Sequence, residues 1–423
     1  MFGKMLTNKF NQNVAILLVG TVMSQAIPIA ISPILTRIYS PSDFGLFALY
    51  FSISMILSVF VTGRYEMAIM LPKDEVDAVD ITKLSISITV IVSALLFVVI
   101  YIFKARIAEA LKNKEIENWL LLLPVTVLVI GFYQSLNYLN SRHEQFKTLA
   151  FSRFARSINT SGFSLLMGFF KTGNNGLILG DTIGQAIATV FLFFRSSKLL
   201  NVFKNSIDIN RMKMLAIRYK HFPLFNVPSG LLEKSSGQVP IILLANFFGN
   251  NFVGLFSLSQ RVISAPSGIV ARAFGDVFRQ QATKEYVENG SCKNLFTKTF
   301  KKLFFLSILP FIVLFIYSPV IFEFVFGKEW RIAGEYAQLM TPMFFLQFFV
   351  SPLSNMFYVA EKQKLDFVIQ FILFLSLCLG LYIGFHFFDS SFVAILLFTC
   401  VYCIKYIIEL LLSYKFSLGN KYA

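Results

Sequence analysis

Eight basic side chains fall inside stretches that are otherwise apolar enough to sit in hydrocarbon: Arg37, Arg64, Arg153, Arg156, Lys234, Arg261, Arg272 and Lys405. The acidic residues read in the same stretches are few: Glu66, Asp181 and Glu233. A cation at mid-membrane costs ~2.5–3.5 kcal/mol on insertion scales, so eight central ones would cost on the order of 20 kcal/mol. Arg37, near an outer helix end, and Lys405 can snorkel to an interface. The others need counter-charges or a hydrated cavity. Glu66 lies two residues from Arg64, and Glu233 adjoins Lys234. These carboxylates are read either as charge compensation or as a coupling site for H⁺ or Na⁺. Because cations outnumber them, a cleft built from these residues is net positive. That suits a phosphate-bearing substrate better than a cationic drug, since the guanidinium forks onto phosphate oxygens.

Spacing groups these residues. Arg261, Ser264, Gly268, Arg272, Gly275 and Arg279 step by three or four, which lays one polar and small stripe along a helix. Such a stripe is either a helix-packing seam or a cavity wall, and arginines at its interior steps favour the wall. Thr21, Gln25, Pro28, Ser32 and Thr36 form a second stripe. Arg153 and Arg156 share a face that Asn159 and Thr160 continue. The stretch from Asn226 to Pro240 holds Glu233, Lys234, Gln238 and several Ser and Gly residues, and is too polar to face lipid. The expected substrate ligands are therefore Arg64, Arg261, Arg272 and Lys234, with Arg153 and Arg156. Gln25, Ser32, Asn226, Gln238 and Ser264 are expected to line the cleft, and Glu233, Glu66 and Asp181 are the candidates for ion coupling.

The elements that must hold these side chains are membrane spans. The chain is 423 residues long, 56% hydrophobic and only 14% charged, where a soluble protein is nearer a quarter charged. Its apolar residues come in blocks of about twenty, the length that crosses ~30 Å of hydrocarbon as helix. The blocks lack the period-two alternation of a membrane β-barrel. Twelve spans are read, near 14–36, 44–71, 84–103, 119–140, 148–170, 176–194, 222–248, 253–278, 303–319, 335–360, 366–387 and 391–414. With both termini inside, inner segments carry 23 Lys and Arg and outer segments 7, so the positive-inside rule places both termini in the cytoplasm. The net charge of +15 is then a topology signal, and a nucleic-acid partner is not expected.

Gly45-Leu46-Phe47-Ala48-Leu49 returns as Gly254-Leu255-Phe256-Ser257-Leu258, 209 residues later. Pro124, Asn137 and Gln145 return as Pro342, Asn355 and Gln363, 218 residues later. Each echo pairs a span with the sixth after it. The expectation is an all-α protein of two pseudo-symmetric six-helix lobes, 1–194 and 222–423, joined by a basic cytoplasmic linker at 195–221. No metal-ligand spacing exists among the three histidines and four cysteines. Cys400-x-x-Cys403 lies in an apolar run and reads as packing. No phosphate-binding loop for ATP occurs, so no cofactor or metal is expected, and the chain reads as a secondary-type transporter and not an enzyme. A membrane polymerase or ligase for glycans would be expected to show a long outer loop, and none is read.

LTRIYSPSDFGLFALYFSI followed by GRYEMAIMLPKD closely resembles the opening of the O-antigen repeat-unit flippases of Wzx type. These form part of the polysaccharide-transport branch of the multidrug/oligosaccharidyl-lipid/polysaccharide exporter superfamily, which includes the MATE transporters. FGNNFVGLFSLSQRVISAPSGIVARAFGDVFRQ and FGKEWRIAGEYAQLM resemble the second half of that branch. The resemblance covers essentially the whole chain. It implies twelve helices in two V-shaped lobes with alternating access in a bacterial inner membrane. The implied substrate is undecaprenyl diphosphate carrying a short oligosaccharide, turned from the cytoplasmic to the periplasmic leaflet. Membrane lipids, and the polymerase and chain-length regulator of the same pathway, are the implied partners. A drug or cation antiporter of the same superfamily would instead show an acidic cleft.

Overall fold

The computed structural model describes residues 9–170, 175–196 and 208–419, and among them helices and turns account for the chain with no strand. Residues 197–207 of the expected linker 195–221 lie outside the described residues. The twelve apolar stretches fall largely on helix, several of them with breaks. Among the described residues, eight helical segments are long and apolar enough to cross a membrane, and Pro41–Leu57 is a shorter apolar helix. The chain divides into two compact units, Met1–Gln238 and Val239–Ala423.

The first unit opens with α1 (Lys9–Ile38). A turn at Ser40 leads into α2 (Pro41–Leu57). That turn is fixed by its own chemistry. The Asp43 carboxylate accepts from the Ser40 amide at 2.9 Å, and Ser40 Oγ accepts from the Asp43 amide at 3.3 Å. The reciprocal pair satisfies donors that a helix start leaves free, and Pro41 sits where no donor is needed. After α2 come the short α3 (Tyr65–Ala68), α4 (Glu75–Ala110), the short α5 (Glu117–Leu120) and α6 (Leu123–Arg142). Then follow α7 (Phe146–Phe169), α8 (Asn175–Ser196) and α9 (Ile209–Arg218). A π-helical turn over Phe222–Asn226 leads into α10 (Val227–Asn289).

Apolar attraction cannot hold helices together in lipid, so close approach and hydrogen bonds must do it. Ser157 Oγ on α7 donates to the Ser24 carbonyl on α1 at 2.6 Å. Added Cβ atoms at Gly180 and Gly184 on α8 would collide with Ser164 and Thr160 on α7. Ser85 and Ser135 join α4 to α6 at 2.7 Å, and Asn140 donates to Ser196 Oγ at 2.7 Å to join α6 to α8.

Helix α10 contains one non-helical residue, Gly249, with φ 80° and ψ 176°. Only glycine adopts that backbone freely. The boundary between the expected spans 222–248 and 253–278 is therefore a one-residue break. The second unit continues with α11 (Lys293–Phe326), a 3-10 turn at Lys328–Trp330, α12 (Arg331–Leu353) and the short α13 (Met356–Val359). It ends with α14 (Gln363–His386) and α15 (Ser391–Ser417). Its core is aromatic: Phe300 and Phe304 of α11 pack edge to face against Phe345 and Phe349 of α12 at centroid distances of 5.5 to 5.8 Å. The Gly-Leu-Phe echoes occupy like places. Leu46, Leu49, Leu255 and Leu258 are all buried. The residue after each echo also bonds across its own unit, Tyr50 to Thr126 at 2.6 Å and Ser259 to the Ala333 carbonyl at 2.5 Å.

Three expected spans are not continuous helices. The span 119–140 turns at Leu121–Leu122, between α5 and α6. The span 44–71 stops at Leu57, and residues 58–64 run as tight turns. Val59, Phe60 and Gly63 there bond three residues back instead of four. The β-branched Val59, Val61 and Thr62 lower helix propensity, and Gly63 and Arg64 both take left-handed backbone, at φ 59° and 61°. The span 335–360 breaks at Ser354–Asn355. Asn355 Nδ2 donates to the Pro352 carbonyl at 2.9 Å, a local bond that competes with the helix ladder.

Candidate functional site

The break after α2 builds the most distinctive polar site of the first unit. Left-handed backbone is strained for a non-glycine residue, and here it aims the Arg64 side chain away from the path of a continuous helix. The guanidinium comes to rest against Gly230 of α10, where an added Cβ would collide with Nη2. Arg64 Nη1 lies 3.9 Å from Glu66 Oε1, and the Glu66 side chain is 2% exposed. Thr62 Oγ1 accepts from the Arg64 amide at 3.3 Å. Tyr138 of α6 lies within electrostatic reach of both charges. Asn226 donates to Met67 Sδ at 3.7 Å, which ties the π-helical turn to α3.

This pair is under-satisfied. Arg64 Nε and Glu66 Oε2 are buried with no hydrogen-bond partner among the described residues. A guanidinium has five donors, and a contact of 3.9 Å is too long to be a hydrogen bond. Among the described residues the site therefore holds unused donors, which is what an incoming anion with several oxygens would require.

Arg153 Nη1 donates to Thr21 Oγ1 of α1 at 2.7 Å. Arg156 Nη2 lies 3.4 Å from Asp181 Oδ1 of α8. Asp181 is thus a counter-ion to Arg156. Glu233 is exposed and Lys234 half-buried, and neither joins an ion pair among the described residues. Gln238 is half-buried, and its Oε1 has no partner among the described residues. Gln25 is half-buried. Ser32 is 2% exposed and closes onto its own helix by donating to the Pro28 carbonyl at 2.5 Å.

In the second unit Arg261 is exposed, and Ser264 donates to the Arg261 carbonyl at 3.3 Å. Arg272 lies on α10, and its side chain is outside the described residues. Gly275 approaches Asn355 Nδ2, which an added Cβ would meet at 3.2 Å. Sequence reasoning missed a buried acid in the last span. Glu409 of α15 is 3% exposed, and its Oε1 lies 2.9 Å from Lys405 Nζ. The Lys405 ammonium also sits 4.3 Å from the Tyr406 ring centroid. Lys405 is thus paired inside its helix and does not snorkel. The signal was present in the four-residue spacing of the two charges.

The fold is that of multi-pass membrane transporters. It matches the solved structure of the lipid II flippase MurJ in an inward closed conformation with a TM-score of 0.73 and 15% identity, covering 95% of this chain and 89% of that one. It also matches an inward-facing multidrug resistance MATE family transporter of the MOP superfamily with a TM-score of 0.62 and 13% identity, covering 94% and 93%. Residues 34–334 match the family described as polysaccharide biosynthesis protein, and the chain belongs to that family. The teichuronic acid biosynthesis protein TuaB of Bacillus subtilis (strain 168) is 20% identical over 287 residues, 66% of this chain. That alignment spans 57% of TuaB, so the chain matches little more than half the length of this relative.

Proposed function

We propose that the protein is a flippase for a polyprenyl-diphosphate-linked oligosaccharide, an O-antigen or related polysaccharide repeat unit. In this reading it moves the glycan from the cytoplasmic to the periplasmic leaflet of a bacterial inner membrane, with both termini in the cytoplasm. The chain would act without chemistry of its own, as two six-helix lobes, 1–194 and 222–423, that alternate access. The lipid tail stays in the bilayer while the charged head crosses. Membership of a polysaccharide biosynthesis family and the transporter fold support this reading. The observation that carries it is the under-satisfied Arg64 guanidinium, held at 3.9 Å from a buried carboxylate and seated on Gly230.

A diphosphate would supply the paired oxygens that the Arg64 fork lacks. Arg261, Arg272 and Lys234, with Arg153 and Arg156, would carry the rest of the anionic head. Glu66, Asp181 and Glu233 remain the candidates for ion coupling, Asp181 less so because it already neutralises Arg156. Gln25, Asn226, Gln238 and Ser264 would meet sugar hydroxyls, whereas buried Ser32 would act through helix packing. Polymerase and chain-length regulator of the same pathway would take the product. A cationic-drug antiporter fits less well, because a cationic drug would meet these arginines.

Binding tests the reading. Native mass spectrometry of the detergent-solubilised protein should retain a polyprenyl-diphosphate oligosaccharide in preference to the same glycolipid with a monophosphate. Equal retention of the two, or preference for a cationic dye, would remove the diphosphate from the account.

A further inference from the structure

Helix α9 turns a basic and apolar face outward beside the point where the chain enters the bilayer. Its inner face is fixed. Met212 and Leu215 are buried, and Leu215 joins a core with Tyr65, Ile69, Ile81 and Leu139. Tyr65 Oη donates to the Ala216 carbonyl at 3.0 Å. Arg211 Nη2 lies 2.6 Å from Asp77 Oδ1, and Arg211 Nε lies 3.5 Å from Asp80 Oδ2, both on α4. The helix is therefore held against the start of one membrane-spanning helix, Glu75–Ala110, and it ends four residues before another membrane-spanning segment, Phe222–Ala265.

With the inner face anchored, the outer face is set by helical spacing. Ile209, Lys213, Ile217 and Lys220 step by 4, 4 and 3 and alternate apolar with basic. Met214 and Arg218 run beside them. Ile209 is 73% exposed, Met214 and Ile217 are each 59% exposed, and Lys213, Arg218 and Lys220 are exposed. Beyond the helix, Leu224 and Phe225 are exposed too. Water gains nothing from three open aliphatic side chains among three cations, and among the described residues of α9 no carboxylate shares the face. A leaflet surface satisfies both classes at once, because aliphatic tips enter the acyl boundary while ammonium and guanidinium groups meet phosphate.

We infer that α9 is an interfacial helix that docks on acidic phospholipid headgroups, using Ile209, Met214 and Ile217 for insertion and Lys213, Arg218 and Lys220 for charge. The Arg211 clamp carries that contact to α4. The inference rests on the membrane topology and is independent of which substrate is moved.

Hydrogen exchange of the full chain in nanodiscs tests it. Amides of 209–218 should exchange at least tenfold more slowly in discs containing phosphatidylglycerol than in discs of phosphatidylcholine alone. The triple variant Lys213→Gln, Arg218→Gln, Lys220→Gln should lose that difference, while unchanged protection over 331–353 shows that it folds. Each basic residue near an anionic surface contributes about fivefold, so the loss lies well above measurement error. Equal exchange of the wild type in both discs would overturn the inference. So would a lipid effect that survives in the triple variant. Slowing by inorganic phosphate in the phosphatidylcholine discs would also overturn it, since it would mark an anion site and not a membrane surface.

Discussion

Gly230 is the seat of Arg64: no side chain larger than hydrogen fits at residue 230 without moving the guanidinium. The collision is with the far end of a flexible side chain and not with backbone. Gly230→Ala should therefore leave the fold intact, with a melting temperature within a few degrees of wild type, yet displace Arg64. If Arg64 holds substrate, surface polysaccharide in a complemented deletion strain should fall at least tenfold. Gly162→Ala, where an added Cβ meets nothing within 4 Å, should leave it unchanged. Full activity of Gly230→Ala would separate the arginine's position from transport.

Arg156 and Asp181 are joined at 3.4 Å with side chains 31% and 16% exposed. If the pair is only structural, Asp181→Asn should impair the protein and the double variant with Arg156→Gln should restore it. If Arg156 meets substrate, the double variant should express at wild-type levels and stay at least tenfold down in transport. The proposed role requires the second result.

The buried pair Lys405–Glu409 offers a cleaner stability test. Glu409→Ala leaves an ammonium unpaired inside a span, which costs on the order of 3 kcal/mol. Replacing both residues, Lys405→Met with Glu409→Leu, removes both charges and should recover most of that loss. Thermal unfolding in detergent reads both. Equal destabilisation by the single and double changes would mean that the pair matters through shape.

Cys292 sits before α11 and is 1% exposed. Burial, with a smaller contribution from Glu285, pushes its thiol up to about 11. Only the thiolate reacts with maleimide. At pH 8 its labelling should run at least a hundredfold slower than that of a cysteine placed at the exposed Glu288, and should rise steadily as pH climbs toward 11. Rapid labelling at pH 8 would show that the segment opens.

Much of this was legible in the sequence for physical reasons. Span-length apolar blocks specify helices in a membrane, and Ser40-Pro41-Ser42-Asp43 carries its own capping box. The repeated Gly-Leu-Phe marks equivalent buried helix starts because burial, not solvent exposure, selects those residues. The route of Arg64 was not legible. An apolar run with one embedded arginine reads as a continuous helix, and nothing in its spacing marks the left-handed Gly63 and Arg64 or the seat of the guanidinium against Gly230. Glu409 was overlooked because a neutralised i,i+4 pair leaves little trace in a hydropathy window. Ser32 fits a polar stripe by spacing, yet its hydroxyl satisfies its own helix. Spacing gives the face of a helix and does not say what that face meets.

The central claim is that this chain turns over a diphosphate-linked oligosaccharide by way of its embedded arginines. The direct measurement is transbilayer movement in proteoliposomes of a polyprenyl-diphosphate oligosaccharide, followed by the accessibility of its sugars to an external glycosidase. Wild-type protein should bring all of the glycolipid within reach of the enzyme. Protein carrying Arg64→Gln, Arg261→Gln and Arg272→Gln should match protein-free liposomes, in which only the outer half is cleaved. Full cleavage with the triple variant, or cleavage of only the outer half with wild type, would contradict the account.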